Sequence, residues 1–245
     1  MKKLLMFFIL STAFVSGSTI NIAVAANVSY AIDELIAEFN KTHKDTKVKV
    51  TLGSSGKLTA QIKHGAPYHL FMAANMKFPQ SLYDDKIAKG APVVYALGSL
   101  AILSKEQKDM SKGIELLKSD KIDKIAIANP KTAPYGTAAM EAFENAGVYK
   151  DIKNKLIFAE SISQTVSFTI TAADIGLIAK SSLYSKTMLK YKQNINWVEV
   201  DAKLYTPIEQ GIVMIENDRE TKAFYEFILS KSAKDIFRKY GYLVP

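Results

Sequence analysis

The chain has 245 residues, 48% hydrophobic and 23% charged, enough for one large domain or two small lobes with cores of their own. It contains no cysteine, which excludes disulfides and a lipidated cysteine but fits an exported bacterial protein as well as a cytosolic one. The formal charge of +8 is dispersed: lysines alternate with acids in "KSDKIDK" and "YKDIKNK", without arginine clusters or interleaved aromatics, which argues against a nucleic-acid face.

Lys2-Lys3 followed by the apolar run Leu4 to Val15 reads as the n-region and h-region of a signal peptide. The run is shorter than the roughly 20 residues of a spanning helix. Two cleavage sites compete. Ala23-Val24-Ala25 carries the small-x-small pattern and would discard everything before Ala26. A cut near Gly17, after Val15-Ser16-Gly17, would keep Ile20-Asn21-Ile22-Ala23-Val24, which reads as an apolar strand running into a polar loop. Removal through Gly17 takes away two lysines and no acids, so the charge falls from +8 to +6. The product expected is a periplasmic protein with no membrane insertion after processing, and its residual positive field speeds the arrival of an anion.

After Ala25-Ala26-Asn27, residues Ile32, Leu35, Ile36 and Phe39 fall on one helical face. "VKVTL" (48–52) alternates like a strand and runs into Gly53-Ser54-Ser55-Gly56-Lys57, beyond which Leu58 and Ile62 begin a helix. "HLFMAAN" (69–75) is a third apolar stretch ending in a polar loop. "VVYAL" and "SLAILS" flank Gly98. "KIAIANP" leads through "KTAPYG" to a helix with Ala139, Ala142, Phe143 and Ala146 on one side and Gly147 at its end. "DIGLIA" and "NWVEV" read as strands, "PIEQGIVMI" as another apolar run, and the end of the chain as one or two amphipathic helices closing at Gly241. Segment 161–170, "SISQTVSFTI", is compatible with a helix through Ile162 and Val166 or a strand through Val166, Phe168 and Ile170. The alternation predicts an α/β fold with parallel sheet. A crossing near Gly98 and a return near Tyr205 divide it into lobes 18–97 plus 206–245 and 98–205.

Each strand-to-helix junction sets the free N–H groups of a helix's first turn beside short polar side chains, an arrangement that binds anions through dipoles. Asn27, Ser55 and the N–H groups around Gly56 are the candidates; the plainer reading is that Ser, Asn and Gly are ordinary cap and turn residues. "GSSGK" is no P-loop, because the leading Gly position holds Thr51 and the hydroxyl position holds Leu58. His43, His64 and His69 offer no metal spacing, and no Gly-x-Ser-x-Gly elbow is present. The carboxylates of Asp33-Glu34 diverge if helical.

Taken in order, "AANVSYAIDEL", "GSSGKLTAQIKHGAPYHLF", "IANPKTAPYGTAAMEAF" and "AKDIFRKYGYLVP" resemble the molybdate/tungstate-binding proteins of bacterial ATP-driven uptake systems, across nearly all of the chain beyond the leader. The resemblance implies the two-lobed periplasmic binding-protein fold of the second type, with the ligand in the interlobe cleft. It also decides the cleavage question: in that family the first strand ends at the first oxyanion ligand, so the cut falls near Gly17. By position it implies Asn27 and Ser55 as ligands, a third contact from Tyr135, and a backbone N–H at Ile162, which favours the helical form of 161–170. Many members carry a tyrosine ligand where this chain has Ala179, and the Tyr135 phenol is expected to supply the missing donor.

The expected function is a non-enzymatic, monomeric receptor that captures molybdate or tungstate and delivers it to the permease of an ABC transporter, without a cofactor and with molybdenum or tungsten present only inside the oxyanion. Donors alone suit a fully deprotonated dianion and disfavour hydrogen phosphate, while exclusion of sulfate falls to cavity size. The alternative is a receptor for sulfate, phosphate or a small carboxylate; the last would call for an arginine, and Arg219 and Arg238 lie only in the C-terminal segment.

Overall fold

Ile20, Ile22 and Val24 alternate with Asn21 and Ala23 in the first strand, β1 (Ser18–Ala25), and the residues from Ile22 to Ala25 are buried on both faces. Burial on both faces marks an interior strand, and β1 pairs in parallel with a strand on each side. The computed structural model describes residues 18–245; the expected leader at 1–17 and its cut near Gly17 lie outside the described residues.

A 3-10 turn at Ala26–Tyr30 separates β1 from helix α1 (Ile32–Phe39). Strand β2 (Thr46–Gly53), helix α2 (Ser55–Lys63), strand β3 (Leu70–Met72), helix α3 (Lys77–Asp84) and strand β4 (Val93–Gly98) follow. Because strand side chains alternate between faces, β1 serves two cores. Ile20, Ile22 and Val24 pack with Phe39, Phe224 and Phe237, whereas Ala23 packs with Leu58 and Phe71.

Only Ser99 lies between β4 and β5 (Leu100–Leu103), which belongs to a second sheet. That sheet adds β6 (Ile125–Ala128), helices α4 (Pro134–Asn145) and α5 (Tyr149–Ile152), β7 (Leu156–Ala159), helix α6 (Ile162–Thr171), β8 (Ile175–Ala179) and β9 (Trp197–Glu199). The chain then returns to the first sheet as β10 (Ile208–Met214) and closes with α7 (Arg219–Leu229) and α8 (Lys231–Lys239). The strand orders are β2-β1-β3-β10-β4 and β7-β6-β8-β5-β9. The fold is therefore α/β and two-lobed.

The parallel pairing expected from the sequence holds for β1 with β2 and β3 and for β6 with β7 and β8, and the remaining pairs are antiparallel. β10 runs antiparallel to β3 and β4, and β5 antiparallel to β8 and β9. Both strands enter their sheets from the other lobe instead of through a βαβ crossover, so no crossover obliges them to run parallel to their neighbours. Segment 161–170 is helical: the Ser161 hydroxyl accepts the Gln164 N–H at 3.3 Å, and Ile162, Thr165, Val166 and Thr169 form the buried stripe of a helix, not a strand's alternation. The edge strand β7 and the short helix α3 are elements that the sequence patterns did not announce. Among the described residues, no helix is long and apolar enough to cross a membrane.

Candidate functional site

The C-terminal ends of β1, β2 and β3 lie at one edge of the first sheet, where an open α/β sheet presents its loops to a ligand. Facing them across the lobes are the first turns of α4 and α6. Between the two lies a small cavity lined by Ala26, Asn27, Ser54, Ser55 and Ala74 from one side and by Ala133, Pro134, Tyr135 and Ile162 from the other. The structure thus brings Asn27, Ser55, Tyr135 and Ile162 together, and none of the lining side chains is charged. A neighbouring interlobe hollow lined by Asn75, Thr137, Glu141 and Thr206 carries a carboxylate, which makes it the poorer place for an anion.

Ser55 is the first residue of α2, and its hydroxyl oxygen accepts the Ala74 N–H at 2.9 Å. That contact fixes the oxygen and leaves its proton free to donate. The preceding Ser54 hydroxyl is buried with no partner and lines the same cavity; adjacent hydroxyls of the Ser-Ser pair were the signal for it. The N–H of Gly56, a candidate anion donor, is already used: it donates to the Thr132 carbonyl of the second lobe at 2.9 Å. A Cβ at Gly56 would lie 3.0 Å from Thr132 Cα and 3.1 Å from Phe78 Cζ, so the absence of a side chain permits this approach.

Pro134 starts α4, where its missing N–H is no loss, and it directs the next residue, Tyr135, into the cleft. The Tyr135 phenol is buried, and its oxygen accepts from Gln210 Nε2 at 3.4 Å across the lobes. Burial pushes its pKa well above the ordinary phenol value, with the neighbouring tyrosines adding to the effect, so it remains a donor. A Cβ at Gly98 would lie 2.0 Å from that hydroxyl, and the crossing glycine gives the phenol its room. Ile162 begins α6 and its N–H is one of the helix's orphan first-turn donors. Ala179, buried at the end of β8, has no side-chain donor to offer.

Asn27 is fully buried. Its Nδ2 donates to Gln210 Oε1 at 2.7 Å and to the Tyr242 hydroxyl at 3.0 Å, while its Oδ1 has no partner. The Tyr242 hydroxyl donates to the Asn27 carbonyl at 2.8 Å, and Tyr95 donates to Gln210 Oε1 at 2.9 Å. Burial raises the pKa of both tyrosines. Gln210, Tyr95 and Tyr242 were missed as site residues. One signal existed: a lone Gln inside the apolar run "PIEQGIVMI" is a buried amide that must find partners.

Further contacts hold the lobes together around the cavity. Ser163 Oγ donates to the Ala26 carbonyl at 2.7 Å, Ser181 Oγ to the Asn27 carbonyl at 3.1 Å, and Lys57 pairs with Glu160 at the rim. Among the described residues, no group of three or more His, Cys, Asp or Glu could hold a metal ion.

Neutral donors converging between two α/β lobes define a solute-binding receptor of the two-lobed type. The family model for bacterial extracellular solute-binding proteins matches residues 20–243, and the chain belongs to that family. It is 34% identical over 226 residues to the molybdate-binding protein ModA of Rhodobacter capsulatus, covering 90% of this chain and 86% of that protein. To ModA of Azotobacter vinelandii it is 31% identical over 233 residues, covering 92% and 90%. The solved Azotobacter vinelandii periplasmic molybdate-binding protein superposes with a TM-score of 0.83 at 28% identity, over 92% of this chain and 99% of that one. The sulfate-binding protein SubI of Mycobacterium tuberculosis shares the fold at 12% identity and a TM-score of 0.73, over 92% and 86%.

Proposed function

We propose that the protein captures molybdate or tungstate in the interlobe cavity after export to the periplasm and hands it to the permease of an ABC transporter. One observation carries the reading: Ser55 Oγ, the Tyr135 hydroxyl and the first turn of α6 meet Asn27 around one small cavity without a charged wall. A tetrahedral dianion needs several donors around it, and fixed neutral dipoles supply them. The relatives named for molybdate support the choice of oxyanion. Residues 18–97 with 206–245 and residues 98–205 are the two bodies that open and close; the closed form, held by the interlobe hydrogen bonds, is the one a ligand selects. Cleavage near Gly17 leaves β1 intact.

Calorimetric titration of the monomer with molybdate, tungstate, sulfate and phosphate tests the reading. Molybdate and tungstate bind and raise the melting temperature without an added cofactor, a ligand at 100 times its Kd contributing about 2.7 kcal/mol. Sulfate and phosphate do little. Equal responses to sulfate and molybdate would remove the selectivity, and no response to either would remove the oxyanion.

A further inference from the structure

The Asn27 amide stands the wrong way round for an anion. Both hydrogens of Nδ2 are directed at Gln210 and Tyr242, and the partnerless end of this cavity-lining residue is Oδ1, an acceptor. An acceptor beside a dianion is repulsive, whereas a donor there makes a charge-assisted hydrogen bond. An amide is nearly symmetric in shape, so Asn27 can turn over in place, but not alone. If only Asn27 turned, two carbonyl oxygens would meet at the 2.7 Å separation it shares with Gln210.

We infer that Gln210 is a positioning residue for the oxyanion site proposed above: its own amide must turn with that of Asn27, and its orientation decides whether Asn27 offers the cavity a donor or an acceptor. The surroundings accommodate both orientations. With the pair turned, Gln210 Nε2 donates to Asn27 Oδ1 and to the Tyr95 oxygen, and Tyr95 keeps the Ala73 carbonyl at 3.4 Å as its acceptor. The Tyr242 hydroxyl, 3.0 Å from the Asn27 amide, accepts from it in one orientation; in the other it turns its one proton from the Asn27 carbonyl to Oδ1, and that carbonyl keeps the Ser181 hydroxyl as its donor at 3.1 Å. Gln210 Oε1 then comes to the Tyr135 hydroxyl at a separation of 3.4 Å, long enough that the phenol directs its hydrogen bond to a dianion instead. Gln210 sits at a register shift in β10 between Gln210 and Gly211 and is wholly buried, so no water substitutes for its partners. Hydrogen phosphate, which carries a proton, tolerates the acceptor orientation. The Gln210-held donor orientation therefore sharpens the preference for fully deprotonated ions.

The test is a double-mutant cycle read by molybdate titration of the parent, Asn27→Ala, Gln210→Met and the double variant. Loss of a charged hydrogen bond predicts that Asn27→Ala weakens binding about tenfold or more. Gln210→Met weakens it comparably, and the double variant is no weaker than about threefold beyond Asn27→Ala, because without Gln210 the Asn27 donor is no longer delivered. The preference for molybdate over phosphate also narrows in Gln210→Met. An Asn27→Ala effect of the same size in both backgrounds would overturn the inference, since packing alone is additive. If Gln210→Met does not fold by circular dichroism, the same cycle runs with Gln210→Glu. Its carboxylate holds Asn27 acceptor-outward, so Asn27→Ala costs nothing further there, whereas charge repulsion alone leaves that cost intact and overturns the inference. A parent that binds no molybdate would overturn the oxyanion reading and this inference together. An Asn27→Ala variant that binds like the parent would overturn the inference while leaving the oxyanion reading standing.

Discussion

Removing one oxygen from Tyr135 separates ligand binding from packing more cleanly than any other change at the site. The phenol is buried at the interlobe cavity, and its only described hydrogen bond within the protein is the long 3.4 Å contact from Gln210. A contact of that length is weak, but it is the one described for the buried Gln210 Nε2, so Tyr135→Phe lowers the stability of the ligand-free protein by about 1 kcal/mol. The proposed bond to the dianion is charge-assisted and shielded from water, and its loss costs about 1.5–3 kcal/mol. At about 1.4 kcal/mol per decade, molybdate affinity falls about 10- to 150-fold. Titration calorimetry on parent and variant, beside denaturant melts of both without ligand, reads the two numbers independently. Affinity equal to the parent's would make Tyr135 a packing residue over the cleft and would remove the argument that it replaces a donor absent at Ala179. A large stability loss with an equal loss of affinity would assign the hydroxyl to the fold.

Ser55→Ala strands the buried Ala74 N–H that its oxygen accepts, so ligand-free stability falls about 1–3 kcal/mol together with molybdate affinity; unchanged affinity in titration would leave Ser55 a strut only. Gly56→Ala places a methyl group against Thr132 and Phe78, which obstructs closure, so affinity falls more than stability; small-angle scattering that still detects full compaction with molybdate would refute this. Burial raises the folded-state pKa of Tyr95, Tyr135 and Tyr242 above the unfolded value of about 10, so their contribution is complete below that pH and is lost as pH rises through the folded values. Denaturant melts above pH 10 therefore lose about 1.4 kcal/mol per pH unit for each such tyrosine, less by one tyrosine in Tyr135→Phe; identical slopes would refute the burial argument.

Legibility tracked how local each constraint is. The strand of Ile20, Ile22 and Val24, the turn at Ser54-Ser55-Gly56 and the helix of Leu58 and Ile62 are each written within ten residues, and periodicity exposed them. Asn27 and Ser55 were legible as polar residues at strand ends. Tyr135 and Ile162 were not, because nothing local says that α4 and α6 aim at the same point as β1; they came from a resemblance across the chain. The direction of β5 and β10 escaped for the same reason, since it follows from where the chain crosses between lobes. The polar layer of Tyr95, Gln210 and Tyr242 joins residues from three distant segments, and in sequence each looks like an ordinary member of its strand or tail.

Residue 27 and residue 242 touch although 215 positions separate them, and β10 lies between β3 and β4, which were made more than a hundred residues earlier. The first lobe therefore cannot complete its sheet while the chain is still being synthesised or threaded: β3 waits unpaired on one side, and β4 without any strand partner, for the last segment to arrive. Such non-local pairing slows folding. Under the export proposed above, that delay would keep the chain in a translocatable form, and it makes the assembled cavity the final product of folding. A copy clipped near its end loses the Tyr242 wall of the polar layer, so ligand protection against proteolysis also reports whether the tail is intact.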